Sequence, residues 1–94
     1  MTIEEMKRYV FARDGYKCVV CGMPVNIYGT AQLAHRIPQT RANLRKYGAA
    51  VIHHPLNLAS TCSLFCNSKV DIRNHPKAIQ ALVEEIDKCL QSQK

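Results

Sequence analysis

The sequence predicts a small single-domain α+β protein, in which two short strands and a helix are strapped together by cysteines and flanked by a helix at each end. Three observations carry this reading. Four of the five cysteines form two short-range pairs, Cys18 and Cys21 spaced C-x2-C, Cys62 and Cys66 spaced C-x3-C. Two strand-like runs lie between the pairs, Gln32-Leu33-Ala34-His35 and Asn57-Leu58-Ala59-Ser60. Near the end, Ile79, Leu82, Val83, Ile86 and Leu90 recur at helical intervals and form one apolar stripe. A chain of 94 residues is one domain, 1–94, with its core at 16–70. Proteins of this size bury a modest share of their surface, so a metal or disulfides commonly supplement the core.

Residues 2–13 read as the first helix. Thr2 and Glu5 have capping-box spacing, and Ile3, Met6 and Val10, with Tyr9 or Phe11, supply its apolar positions. Asp14-Gly15 stops it. Tyr16 to Gly22 reads as a metal knuckle, a tight turn aiming two sulfurs at one ion, with Gly22 supplying left-handed backbone. Met23 to Tyr28 is irregular, punctuated by Pro24 and Gly29. Thr30 to Ile37 is the expected first strand, closed by Pro38. Thr40 to Gly48 reads as a short basic helix, capped by Thr40 and ended by Gly48. Ala49 to Ile52 is expected to extend toward the second strand, with a bend at His53-His54-Pro55 before Asn57 to Ser60. A helix should start near Ser63, and Pro76 should open the last one, 76–92.

Two exclusions follow. No run of 18 apolar residues exists, so no transmembrane helix and no membrane partner are expected. The segment Met1 to Arg8 is charged and lacks an apolar region, so a cytoplasmic chain is expected. In that compartment thiols stay reduced, which turns the cysteine count away from disulfides. Cys89, left over, reads as a small buried hydrophobe in the last helix.

The formal charge is +6, and from Gly15 to Val70 there is no Asp or Glu. Arg36, Arg41, Arg45, Lys46 and Lys69 lie in that tract, which suits a polyanion such as DNA. Arg41 and Arg45, four apart, share a helix face. Four cysteines in two short-range pairs match a closed structural Zn²⁺ site with no open coordination position. A redox C-x-x-C would need a βαβ setting that this chain lacks.

The order C-x2-C, Ala34-His35-Arg36-Ile37-Pro38, Pro55-Leu56-Asn57-Leu58, then C-x3-C followed by Asn67-Ser68-Lys69 resembles the HNH endonuclease family, in its variant with asparagine in the third motif position. The resemblance covers Tyr16 to Lys69. It implies a ββα-metal fold strapped by a four-cysteine zinc, and cleavage of DNA with one Mg²⁺ or other divalent cation. It also implies that His35 is the general base, Asn57 the residue that braces the loop and orients the base, and Asn67 a ligand of the catalytic cation. An imidazole titrates near neutrality, and an amide oxygen suits a hard cation.

One position departs from the family, because Ala34 stands where a second metal ligand is common. His54 is the substitute candidate, with His53 and Asp71 behind it. The alternative function is a non-catalytic, zinc-stabilised nucleic-acid-binding module. A protein-interaction zinc domain is less favoured by the acid-free basic tract.

Overall fold

The computed structural model describes residues 2–26 and 31–92. The end of the expected irregular stretch at Tyr28, the break at Gly29 and the strand start at Thr30 lie outside the described residues. Helix α1 spans Ile3–Arg13, and Thr2 Oγ1 accepts the Glu5 N–H at 3.1 Å. Only its C-terminal end is buried, at Val10 and Phe11, while Ile3, expected on the apolar face, is 82% exposed. The reason is how α1 is anchored. Arg13 donates to the carbonyls of Pro55 at 2.8 Å and Leu58 at 2.7 Å, and Asp14 Oδ2 accepts the Ser60 N–H at 2.9 Å. These contacts tie the end of the helix, not its beginning, to the sheet.

Strands β1 (Gln32–His35) and β2 (Leu58–Thr61) pair antiparallel, from Gln32 opposite Thr61 to His35 opposite Leu58. The connection between them holds α2 (Arg41–Tyr47), α3 (Ala49–Ile52) and a 3-10 turn (Pro55–Asn57). Thr40 caps α2 by accepting the Asn43 N–H, and Gly48, at φ 87°, ends it. The expected extension of the second strand through Ala49–Ile52 is corrected, because those residues form a helical turn. Arg36 donates to the Asn57 carbonyl in register, closing the His35–Leu58 pair, and the ladder ends beyond it because the Ile37 N–H goes to the Asn57 side chain, both at 2.8 Å.

Helix α4 (Leu64–Val70) follows β2, capped by Ser63, whose Oγ accepts the Cys66 N–H. Helix α5 spans Pro76–Ser92. Two small cores result. One gathers Phe11, Val25 and Ala31 around Cys18, Cys62 and Cys66; the other packs Leu82 and Ile86 of α5 on Ile37, Val51 and Ile52. The fold is a single mixed α+β domain, with α2 and α3 set between the two paired strands and α4 following the second. No helix among the described residues is long and apolar enough to cross a membrane.

Candidate metal centre and catalytic cleft

The sulfurs of Cys18, Cys21, Cys62 and Cys66 all lie within 4.8 Å of one another, close enough to hold one metal ion. Cys62 Sγ is 3.5 Å from Cys21 Sγ and 3.7 Å from Cys66 Sγ. Zinc–sulfur bonds of about 2.3 Å in a tetrahedron require sulfur–sulfur edges of roughly 3.8 Å, so the cluster has zinc-like dimensions. Each pair is built locally. Gly22, at φ 77°, donates to the Cys18 carbonyl at 2.9 Å, closing the knuckle. Cys62 ends the second strand's run and Cys66 sits one turn into α4, while Val19 donates to the Ser60 carbonyl at 3.0 Å and docks the knuckle on β2.

The thiols differ in acidity. Burial opposes ionisation of Cys18, but backbone N–H groups of Cys21, Val20 and Cys62 outweigh it and bring the thiol down to about 6. Burial, with the neighbouring thiols of Cys62, Cys18 and Cys21, pushes Cys66 up to about 12. A cation is therefore what would let all four exist as thiolates together.

Next to this cluster, an open cleft of about 380 Å³ is lined by His35 on β1, Asn67 on α4, and Asp71 and Arg73 beyond α4. Neighbouring residues on a helix point about 100° apart, so Cys66 can turn to the sulfurs while Asn67 faces the strand. The Asn67 side chain makes no hydrogen bond among the described residues. The segment after α4 is held at the cleft because Ile72 donates to the Arg36 carbonyl at 2.9 Å. Asp71 there accepts from the Arg73 backbone at 2.8 Å and from its guanidinium at 2.7 Å.

His35 is half-buried, and its Nε2 lies 3.3 Å from Nδ1 of His53, the rings edge-on. Burial first, and the neighbouring His53 second, lower its pKa below the usual 6.5. The two histidine-bearing segments are held by one side chain. Asn57 is fully buried; its Oδ1 accepts from Ile37, and its Nδ2 donates to the carbonyls of Ile37 at 3.2 Å and Ile52 at 2.8 Å. Ile37 follows His35 by two residues and Ile52 immediately precedes His53. Asn57 thus bonds backbone on both sides and makes no hydrogen bond to the His35 ring.

Two expectations are corrected. His54 does not share the cleft with His35. It is buried, caps the 3-10 turn by accepting the Leu56 N–H on Nδ1, and lines a separate groove with Met6, Tyr9 and Cys89. A ring nitrogen spent on a backbone amide is unavailable to a cation at His35. Ala34 also fails as a place for a missing ligand. It is fully buried, on the opposite strand face from Leu33 and His35, which both line the cleft. A carboxylate there would be buried without a partner.

Arg36, Arg41, Arg45, Lys46 and Lys69 are all exposed. None of the five lines the cleft itself. Lys46 lines a second groove of about 560 Å³, and Arg73 lines both. The Lys69 ammonium lies 4.8 Å over the Phe65 ring. Sequence reasoning missed Arg73 and ranked His53 low; the signal for the first was Asp71-x-Arg73, the first acid–base pair after the acid-free tract.

Acid should loosen this region. Burial lowers His54 as well as His35, so both bind protons less readily folded than unfolded. Their stabilising effect is complete above the usual 6.5 and is lost as pH falls through the lower folded values. The urea midpoint should drop between pH 7.5 and 5.5, and drop less in a variant with His35→Gln and His54→Gln. Thiolate protonation occurs in both proteins, so an equal drop in the two would exclude the histidine contribution.

Comparison of the chain with protein-family models, curated proteins and solved structures finds no match.

Proposed function

We propose that this protein is a metal-dependent endonuclease of the HNH type, hydrolysing phosphodiester bonds in DNA around a structural zinc. The observation that supports this reading is the meeting of His35, Asn67 and Asp71 in one open cleft, beside a tract without acids. His35 is the general base, taking a proton from the water that attacks phosphorus; a lowered pKa keeps it neutral at physiological pH. The Asn67 amide oxygen and an Asp71 carboxylate oxygen are hard donors and would hold the divalent cation. When bound, that cation supplies stabilisation of charge on the phosphate and the leaving oxygen. Asn57 is a positioning residue that fixes the segments on which both histidines stand. Arg73, and the exposed Arg36, Arg41, Arg45, Lys46 and Lys69, supply phosphate contacts without sequence preference.

Supercoiled plasmid incubated with Mg²⁺, Mn²⁺ or Ni²⁺ tests the reading, with omission of added cation as the control. A chelator is the poorer control because it also attacks the cysteine site. Cleavage should require added cation, and His35→Ala should slow it by about 10²–10⁴-fold while DNA affinity and zinc content stay unchanged. Asn67→Ala should raise the cation concentration needed for half-activity. Unchanged turnover in His35→Ala would refute the base assignment.

The engagement of Asp71 by Arg73 favours a second reading, a DNA-binding module without turnover. Salt-sensitive DNA binding by a wild-type protein that fails to cleave with any of these cations would establish it.

A further inference from the structure

We infer that His53 is the positioning residue that sets the tautomer of His35, an inference that rests on the nuclease reading of the same cleft. The observation is the 3.3 Å approach of His35 Nε2 to His53 Nδ1, with the ring centroids 5.4 Å apart and the ring planes at 78°. At that distance one proton lies between the two nitrogens, and it belongs to one ring or the other. The two cases have opposite chemical consequences.

If His53 Nδ1 carries the proton, Nε2 of His35 accepts it and a neutral His35 must carry its own proton on Nδ1. Both of its nitrogens are then occupied, and it cannot take a proton from water. If His35 Nε2 carries the proton and donates it, Nδ1 of His35 keeps its lone pair and is free to act. A general base requires the second arrangement, with His53 as the neutral acceptor.

The fold fixes both rings for this role. His35 sits at the end of the ladder, opposite Leu58. His53 caps α3, its N–H donating to the Ala49 carbonyl at 2.9 Å. Between them, Asn57 Nδ2 bonds the carbonyls of Ile37 and Ile52, so the distance between the two backbones is set by a single buried amide. His53 is itself exposed, so its side chain can be exchanged without emptying the core.

That exposure permits a test in which the two explanations of any effect pull in opposite directions. His53→Glu places an acceptor-only side chain at Nε2 of His35, and His53→Lys a donor-only one. Simple electrostatics on DNA favours the lysine variant and disfavours the glutamate. Tautomer control predicts the reverse for turnover. At saturating DNA and cation, kcat of His53→Glu should stay within about tenfold of wild type, whereas His53→Lys should lose roughly 10²-fold or more, the scale of losing the base. The second readout needs no activity. In ¹⁵N-labelled wild-type protein above pH 7, a scalar coupling across the N–H···N bond should join the two rings, with the proton on His35 Nε2.

A proton found on His53 Nδ1, or a lysine variant that turns over as fast as the glutamate variant, overturns the proposal. Wild-type protein that fails to cleave with any divalent cation removes the nuclease reading and this catalytic role with it. That failure is told apart because it appears in the unmutated chain.

Discussion

Stripping the metal from the cysteine cluster, or replacing Cys18 with serine, is expected to unfold the chain rather than merely inactivate it. Among the described residues, the core beside the cluster is small, made of Phe11, Val25 and Ala31 with Cys18, Cys62 and Cys66. Structural zinc contributes on the order of 10 kcal/mol or more of apparent binding free energy. Small domains have a net stability of only about 5–15 kcal/mol, so little remains without it. The metal would also join the knuckle to α4, the helix that carries Asn67, so the cleft should vanish with it. Protons compete with the metal in a stated direction. Cys66, pushed up to about 12, and Cys21, also raised, must release protons on binding throughout the neutral range, and below about 6 Cys18 adds another. Affinity should therefore fall with acidification, more steeply below pH 6. Native mass spectrometry should find one Zn²⁺ per chain. Circular dichroism before and after chelation should show loss of helix, and Cys89→Ser, outside the cluster, should change neither. Cooperative melting at an unchanged midpoint in metal-free protein would sink this account.

Replacing Asn57 with alanine is expected to be the most damaging change away from the cysteines. Three backbone groups would lose their partner in a fully buried place: the Ile37 N–H, the Ile37 carbonyl and the Ile52 carbonyl. At about 1–3 kcal/mol for each buried polar group left unpaired, the loss should be roughly 3–5 kcal/mol, allowing for some relaxation. Asn57→Asp should be no rescue, since it keeps the acceptor but loses both donors and brings a charge into the interior. Denaturant titration gives the magnitude. A distinguishing signature is the His35–His53 contact, because Asn57 joins the segments on which those two rings stand. Their nuclear magnetic resonance signals should lose mutual proximity even under conditions where Asn57→Ala remains folded. A stability loss below 1 kcal/mol would show that the bridging amide does not hold the connection.

Much of the architecture was legible in residue order because it depends on local chemistry. The helix starts at Thr2, Thr40 and Pro76, the stop at Gly48, and the α5 stripe follow from capping and periodicity, which act within a few residues. The grouping of Cys18, Cys21, Cys62 and Cys66 was legible too, since short-range pairs of soft ligands have few other uses in a reduced chain. Facing and neighbourhood were not. Ala49–Ile52 is as apolar as a strand, yet the ladder stops short of it, where the Asn57 side chain takes the Ile37 N–H, and the segment forms α3. Ala34 precedes His35 in sequence yet lies through the sheet from the cleft, as alternation along a strand demands once one face is known. The plainest case is His53 and His54. Side by side in the chain, they have the same chemistry, but His54 precedes Pro55, which holds it in extended backbone and lets its ring cap the Leu56 N–H. The backbone turns from φ −97°, ψ 12° at His53 to φ −69°, ψ 143° at His54, sending one ring to His35 and the other to a backbone amide. The place of His54 is local, but the partner of His53 belongs to the tertiary structure, because His35, and the buried amide of Asn57 that holds both segments, are brought there by contacts distant in sequence.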